Sequence, residues 1–534
     1  MKKLFKILAI MLTLVFVLST LVACDLFDSL NDALGGGGND TTIDTGGGTG
    51  NGGTGSGGTG NGGTGSGDTG NGDGVSGTYA VDVYSLNDVH GKFTDNDSQP
   101  GVDEMSTYLK KVQEEQNTIF VSTGDMWQGS AESGLTKGHI ITDWMNELSF
   151  SAMALGNHEF DWGTDEIASN AEVAEFPLLA INVYEYATNQ RADYCDASII
   201  VDKGEVQIGI IGAIGDCYSS ISADQVEDVY FKTDDDLTAL VKAESDKLRA
   251  DGADFIIYLL HDGYGRSYSS EKYLTGNAYE SDGGVYYDTT LSNGYVDLVF
   301  EGHSHQSYIL KDEYGVYHLQ GGGDNKNGMT HAQILFDFDD DSVRVREAGF
   351  VRHSAYTSMA SDPIVDSLIE KYDDVLGTIY DTIGRNAYTR DSSDLKNLMA
   401  KLYLEAGVNK WGNDYDIVLG GGYLSVRSPY NLYSGVVNYA QLYMLMPFDN
   451  EIVLCSIKGS DLRRRYFQSS SYFMAYTDYG NTVRNNLDVN KTYYIITDTY
   501  NSSYAANKLT VVATLGEVYA RDLVANYIKQ GKLA

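Results

Sequence analysis

The sequence predicts an α/β protein of two globular blocks behind a flexible leader, on three observations. Short apolar, β-branched runs alternate with helix-like stretches from residue 79 to about 350. The same alternation resumes over 384–534. Between them and the N-terminus, residues 35–77 repeat Gly-Thr-Gly-Asn-Gly and Gly-Thr-Gly-Ser-Gly, with almost no apolar residue from which a core could form.

Taken in order, residues 1–24 open with Lys2, Lys3 and Lys6. An apolar run over 7–18 follows, broken only by Thr13. That run is too short to span a bilayer and has the form of a signal peptide. Its end, Leu21-Val22-Ala23-Cys24, resembles the bacterial lipobox, which implies lipidation of Cys24. Residues 25–78 read as a spacer, and the Gly-rich part alone would span about 35 Å as a flexible coil. The expected location is therefore outside the cytoplasm, tethered to the cell membrane by lipid.

Lys and Arg number 37 against 75 Asp and Glu, a net charge of −38. Such a chain repels polyanions, which excludes general binding of nucleic acid polymers. It also repels phosphorylated small molecules unless a bound cation reverses the field locally. Four cysteines (Cys24, Cys195, Cys217 and Cys455) are too few for a disulfide scaffold. Cys195 and Cys217 read as separate buried thiols rather than a pair.

In the first block, strands are expected at 79–86, 118–122, 151–155, 178–183, 206–214, 255–260 and 296–300. Their near-continuous apolar runs suit strands buried on both faces. Residues 361–380 read as one helix, with Asp362 as cap and Pro363 at the first position. Its apolar face (Ile364, Val365, Leu368, Ile369, Tyr372, Val375 and Leu376) makes it a bridge between the blocks. The second block carries a helix over 395–406 and strands at 416–419, 451–457 and 492–497.

Polar clusters follow most strands of the first block, at the sheet edge where α/β proteins build sites. They are Asn87-Asp88-Val89-His90, Gly124-Asp125-Met126-Trp127-Gln128-Gly129, Gly156-Asn157-His158-Glu159-Phe160-Asp161, Leu260-His261-Asp262 and Gly302-His303-Ser304-His305. They hold five of the chain's nine histidines. Carboxylates converging on one edge repel one another unless divalent cations lie between them, and Asp, His and Asn suit Zn, Mn or Fe. Asp-x-His and His-x-His, if extended, turn both side chains to one face. Gln128 and Glu159 read as hydrogen-bonding supports rather than ligands. His139, His318, His331 and His353 fit no motif.

These five motifs, in this order, resemble the calcineurin-like metallophosphoesterases, and the Glu-Phe-Asp extension resembles their 5′-nucleotidase branch. The resemblance implies a β-sandwich flanked by helices (α/β/β/α) plus a smaller α/β C-terminal domain. It implies two divalent metal ions, Zn, Mn or similar. Asp88, His90 and His305 would hold one, Asn157, His261 and His303 the other, and Asp125 would bridge them. His158, oriented by Asp161, would stabilise charge on the phosphoryl group. Attack by metal-bound hydroxide would be direct, with no covalent phospho-enzyme.

In the second block, Gly420-Gly421-Gly422-Tyr423, Arg427 and Met446-Pro447-Phe448-Asp449-Asn450 resemble the 5′-nucleotidase C-terminal domain. The resemblance implies a nucleoside site made by Arg390, Arg427, Phe448 and Tyr500, and a second domain that turns about the 361–380 helix. The chain departs from the pattern at Leu419, where Asn is usual, at Leu424, where the arginine is usual, and at Asn501-Ser502-Ser503-Tyr504, in place of Asn-Gly-Gly-Asp. The expected activity is release of phosphate from nucleotides. The alternatives are a 2′,3′-cyclic-nucleotide phosphodiesterase, a UDP-sugar hydrolase, a non-catalytic surface binding protein on the same fold, or a solute-capture lipoprotein.

Overall fold

The computed structural model describes residues 76–94, 101–263, 277–281, 284–288, 295–311, 315–323, 328–423, 426–427, 431–503 and 509–533. The stretch read as a signal peptide, Cys24, nearly all of the expected spacer, Leu424 and Tyr504 lie outside these. Among the described residues no helix is long and apolar enough to cross a membrane.

Two six-stranded sheets form the first block. The strands of the first sheet begin with β1 (Thr78–Leu86), β2 (Thr118–Ser122), β3 (Ala152–Ala154) and β4 (Leu178–Leu179), all parallel. The second sheet takes β5 (Ser198–Asp202), β6 (Gln207–Ile214), β7 (Phe255–His261), β8 (Leu298–Glu301), β9 (Ser307–Lys311) and β10 (Tyr317–Gly321). Its order is β9-β10-β8-β7-β6-β5, with β6, β7, β8 and β10 parallel. The chain then returns to the first sheet as β11 (Met329–Asp337) and β12 (Ser342–Val351), giving the order β12-β11-β1-β2-β3-β4.

Alternation along each strand explains the layering. Val81 and Val83 of β1 meet Ile257 and Leu259 of β7 in the core between the sheets. Their neighbours Tyr84 and Leu86 face an outer helical layer, and Ile256, Tyr258 and Leu260 face another. The result is the α/β/β/α sandwich, with strands buried on both faces as their apolar runs require.

Two elements differ from the sequence reading. The run at 178–183 keeps only two residues in the sheet as β4. The N–H of Ala180 donates instead to Asp196 O (2.8 Å) and that of Ile181 to Gly212 O (2.8 Å), so the run leaves its own sheet for the other. The 361–380 helix is two helices, α1 (Pro363–Lys371) and α2 (Asp373–Leu376). They part at Tyr372, whose φ of −103° and ψ of 16° are not helical and whose hydroxyl donates to Asp143 (2.6 Å). Asp362 caps the first as expected, accepting from the N–H of Ile364 (3.0 Å).

Both pieces are docked on the first block, since Ile364, Val365, Leu368, Leu376 and Ile379 lie in its outer core. A few residues later Ile383 packs on the second block. That block is a five-stranded sheet of β13 (Ile417–Gly422), β14 (Glu451–Lys458), β15 (Phe473–Tyr476), β16 (Thr492–Asp498) and β17 (Thr510–Tyr519). The order is β15-β13-β16-β14-β17, with helix α3 (Ser392–Trp411) against it. Tyr443, from helix α4 (Tyr439–Leu445), crosses to the first block and is buried in that core. It occupies space left by Gly134, where a Cβ would collide with its ring.

Candidate metal centre

All five polar clusters sit just past strands of the sandwich. Asp88 and His90 follow β1, Asp125 follows β2 and Asn157 follows β3 in the first sheet; His261 ends β7, and His303 and His305 follow β8 in the second. Asp88, His90 and His261 are fully buried, Asp125 and Asn157 nearly so, His303 is half-buried and His305 exposed. The ligand atoms of Asp88, His90 and His305 lie within 4.8 Å of one another, as do those of Asp88, Asp125 and His261, and those of His90, Asp125 and His158. Asp125 therefore belongs to both ends of the cluster.

The segments are not extended. Asp88 (φ 50°), His90 (53°), Asp125 (53°), His303 (64°) and His305 (55°) all adopt the left-handed region, five of the nine described non-glycine residues that do. Each costs on the order of 1–3 kcal/mol and persists only where its surroundings over-determine it. Here they do. The N–H of Asp88 donates to Gly124 O (3.0 Å), that of His90 to Asp125 O (2.9 Å), and that of His303 to both Asp88 oxygens (3.0 Å). The left-handed turns, not a pleat, bring the paired side chains together.

The donor chemistry fits a cation. His261 Nδ1 donates to Thr123 O (2.6 Å), and its Nε2 lies 3.2 Å from both Asn157 Oδ1 and Asp125 Oδ2. His90 Nδ1 likewise meets Gln128 O (3.1 Å), and its Nε2 faces His305 Nε2 (2.9 Å) and so the Asp88 carboxylate. His303 Nδ1 meets Asn157 Oδ1 at 2.9 Å. Acceptors facing acceptors require a proton or a metal between them. Burial opposes charge on Asp125, yet His261 and His158 hold its carboxyl well below the usual range. Burial likewise opposes charge on His261, but Asp125 raises it to about 10.

His158 Nδ1 pairs with Asp161 Oδ2 (2.7 Å), and its N–H donates to Asp125 Oδ1 (2.8 Å). Burial opposes its charge, but Asp161 and Asp125 raise it to about 9. It stands at the rim, one quarter exposed.

Supports hold this edge, one of them the Glu159 read from the sequence as a hydrogen-bonding residue. Fully buried Glu159 accepts four backbone N–H groups: Asp125 (2.8 Å), Met126 (2.9 Å), Trp127 (3.3 Å) and Gly156 (2.7 Å). It ties the β2 loop to the β3 loop, and burial beside Asp125 raises its pKa to about 7. Gln128, expected to support through its side chain, does so through its carbonyl; its buried Oε1 has no partner among the described residues. Asn87 joins the sheets, accepting from the N–H of Gly321 (2.9 Å) and donating to Asp88 Oδ2 (2.6 Å). Gln320 fastens the last cluster, accepting from Ser304 Oγ (2.6 Å) and the N–H of Gln306 (2.9 Å). Glu159 was singled out in the sequence as such a support, only adjacency to the motif pointed to Asn87, and for Gln320 there was no local signal.

From the second block, the Phe448 ring lies 6.2 Å from that of His158, at 32°. A Cβ at Gly129 would sit 2.9 Å from Arg427 Nη1, so that guanidinium stands over the β2 loop. Arg390 turns inward, donating to Asn386 and stacking on Tyr388 at 4.0 Å. Tyr500 sits in the short helix Thr499–Ser503, 40% exposed. The sequence did not single out Arg521. It is 3% exposed, stacks on Tyr443 (4.3 Å), donates to Phe448 O (2.9 Å) and pairs with Asp449. It holds the loop on which Phe448 faces the donors.

Residues 82–307 match the family model for the calcineurin-like phosphoesterases, and residues 375–489 match that for the 5′-nucleotidase C-terminal domain. Protein UshA of Yersinia enterocolitica is 24% identical over 434 residues, 72% of this chain and 76% of that one. The 5′-nucleotidase of Homo sapiens is 24% identical over 457 residues, 75% of this chain and 74% of that one. Among solved structures, the 5′-nucleotidase precursor from Thermus thermophilus matches with a TM-score of 0.61 at 18% identity, covering 85% of this chain and 97% of that one. This last is a likeness of fold.

Proposed function

The chain belongs to the calcineurin-like phosphoesterases that carry a 5′-nucleotidase C-terminal domain, and on that premise we propose that it is a two-metal enzyme releasing phosphate from nucleotides outside the cell. Metal-dependent phosphoester hydrolysis follows from the family. The observation that carries the finer reading is the pairing of the donor cluster with Phe448 and Arg427, two groups from the other block that face it.

Two divalent cations, held by Asp88, His90 and His305 and by Asn157, His261 and His303 with Asp125 shared, would supply Lewis acidity and an acidified water. The chain's own residues do the rest. His158, kept protonated by Asp161 and Asp125, offers positive charge to the developing phosphoryl oxygens. Arg427 adds a second positive charge in a strongly acidic protein, and Phe448 offers a face on which a base can stack. Arg390 and Tyr500 complete the proposed nucleoside contacts. Lipid at Cys24 and the Gly-rich spacer would hold this body off the cell membrane.

The test is phosphate release from AMP, UDP-glucose, 2′,3′-cyclic AMP and bis-p-nitrophenyl phosphate, with Mn or Zn and with chelator. Chelator-sensitive release from AMP is expected. Release from the diesters alone would keep the metal site and remove the nucleotidase reading. Silence on all four with metal bound would favour a binding protein. For the anchor, Cys24→Ser should move the protein from the membrane fraction to the medium.

A further inference from the structure

The two cation positions differ in chemistry. At the first stand a carboxylate and two imidazoles, from Asp88, His90 and His305. At the second, the loop after β6 adds a group that belongs to none of the five motifs. Cys217 Sγ lies within 4.8 Å of a ring nitrogen of each of His261 and His303, and both rings also face Asn157 Oδ1. Cys217 is 2% exposed, and its thiol donates to His261 O at 2.8 Å.

Its place is set by the strand end that carries His261. The N–H of Gly215 donates to His261 O (3.0 Å), and that of Asp216 donates to Asp262 Oδ2 (2.8 Å). Any side chain at Gly215 would collide with Asp262. The other described thiols lie elsewhere: Cys195 points to Ala180 O and Ala192 O, and Cys455 is in the core of the second block.

We propose that Cys217 is a sulfur ligand of the second cation position, joining His261, His303, Asn157 and the shared Asp125. This rests on the two-metal reading above. On binding, the S–H bond breaks, a sulfur–metal bond forms and the proton passes to solvent, while His261 O keeps the Gly215 N–H as its donor. Zinc bonds sulfur at about 2.3 Å and imidazole nitrogen at about 2.0–2.1 Å, so these donors need close by only about an ångström. Sulfur is a soft ligand, so this position prefers Zn or Co to Mn or Mg, and the first position, which has no sulfur, lacks that bias.

Cobalt is the probe. The full chain loaded with two equivalents of Co²⁺ should give a strong sulfur-to-cobalt charge-transfer band in the near ultraviolet. Cys217→Ser should lose the band while keeping its circular dichroism, and Cys195→Ser should keep it. Zn affinity at one position should fall in Cys217→Ser by at least the ~10-fold that loss of even an outer partner costs, with Mn affinity changed less. If the variant fails to fold, the wild-type spectrum still decides. Two equivalents of cobalt without the band, or a band that survives Cys217→Ser, would overturn this ligand and leave the two-metal site standing. Binding of fewer than two equivalents by the wild type would overturn the two-metal reading and this inference with it.

Discussion

The metal-side donors and the groups offered by the second block are held in opposite ways. Asp88, His90, Asp125 and His261 are buried, and most are fixed by backbone hydrogen bonds that hold left-handed turns at the strand ends. Phe448 and Tyr500 are each 40% exposed, and the Phe448 loop hangs on one buried side chain, Arg521. The donors are fixed by the backbone of two sheets, whereas Phe448 and Tyr500 stand exposed on separate segments, a loop and a short helix. Damage to the first should remove turnover; damage to the second should weaken binding.

The sharpest break is Asp125→Asn, expected to lower kcat by at least ~10³-fold with an unchanged circular dichroism spectrum. A wild-type rate in that variant would remove the two-metal assignment. Next is Glu159→Ala, which strands four buried N–H groups. It should cost about 3 kcal/mol or more in denaturant unfolding, with Glu159→Gln intermediate. An unchanged midpoint would show that the two loops need no tie.

On the recognition side, Arg521→Ala should lower kcat/KM for AMP by up to ~10²-fold, mainly through KM, because it frees the Phe448 loop. Arg521→Lys should restore part of it, and bis-p-nitrophenyl phosphate should be turned over normally. A fall in kcat alone, on both substrates, would make Arg521 part of the metal side instead. Phe448→Ala should raise KM for AMP about tenfold, a stacking contribution within the usual 1–3 kcal/mol. Tyr500→Ala should do less; equal effects would argue for a sandwich of two rings.

How much was legible differs in the same way. Strands at 118–122, 206–214 and 255–260 announced themselves, to within a residue at each end, because an apolar run buried on both faces cannot be much else. The donor set was legible because each motif is local and is printed at the end of such a strand. The split at Tyr372 was not, because it depends on Asp143, far away in sequence. Neither was the break at 178–183, where backbone groups find partners in the other sheet. Arg521 and Cys217 carried no motif; each acts through residues it meets only in the folded chain.

The sequence by itself determined the composition of the site and its order along the chain: an acidic protein with five donor clusters behind buried strands, then a second α/β block. Periodicity and motif are short-range, so they survive in one dimension. Tertiary structure alone decided that Asp-x-His and His-x-His turn through left-handed backbone, that Asn87 joins the two sheets and which backbone groups Glu159 holds. It also brought a thiol to the second donor set and one arginine under the Phe448 loop. Those are contacts between segments tens to hundreds of residues apart, and what selects them is burial: a buried N–H, carboxylate or guanidinium must find its partner wherever the fold supplies one.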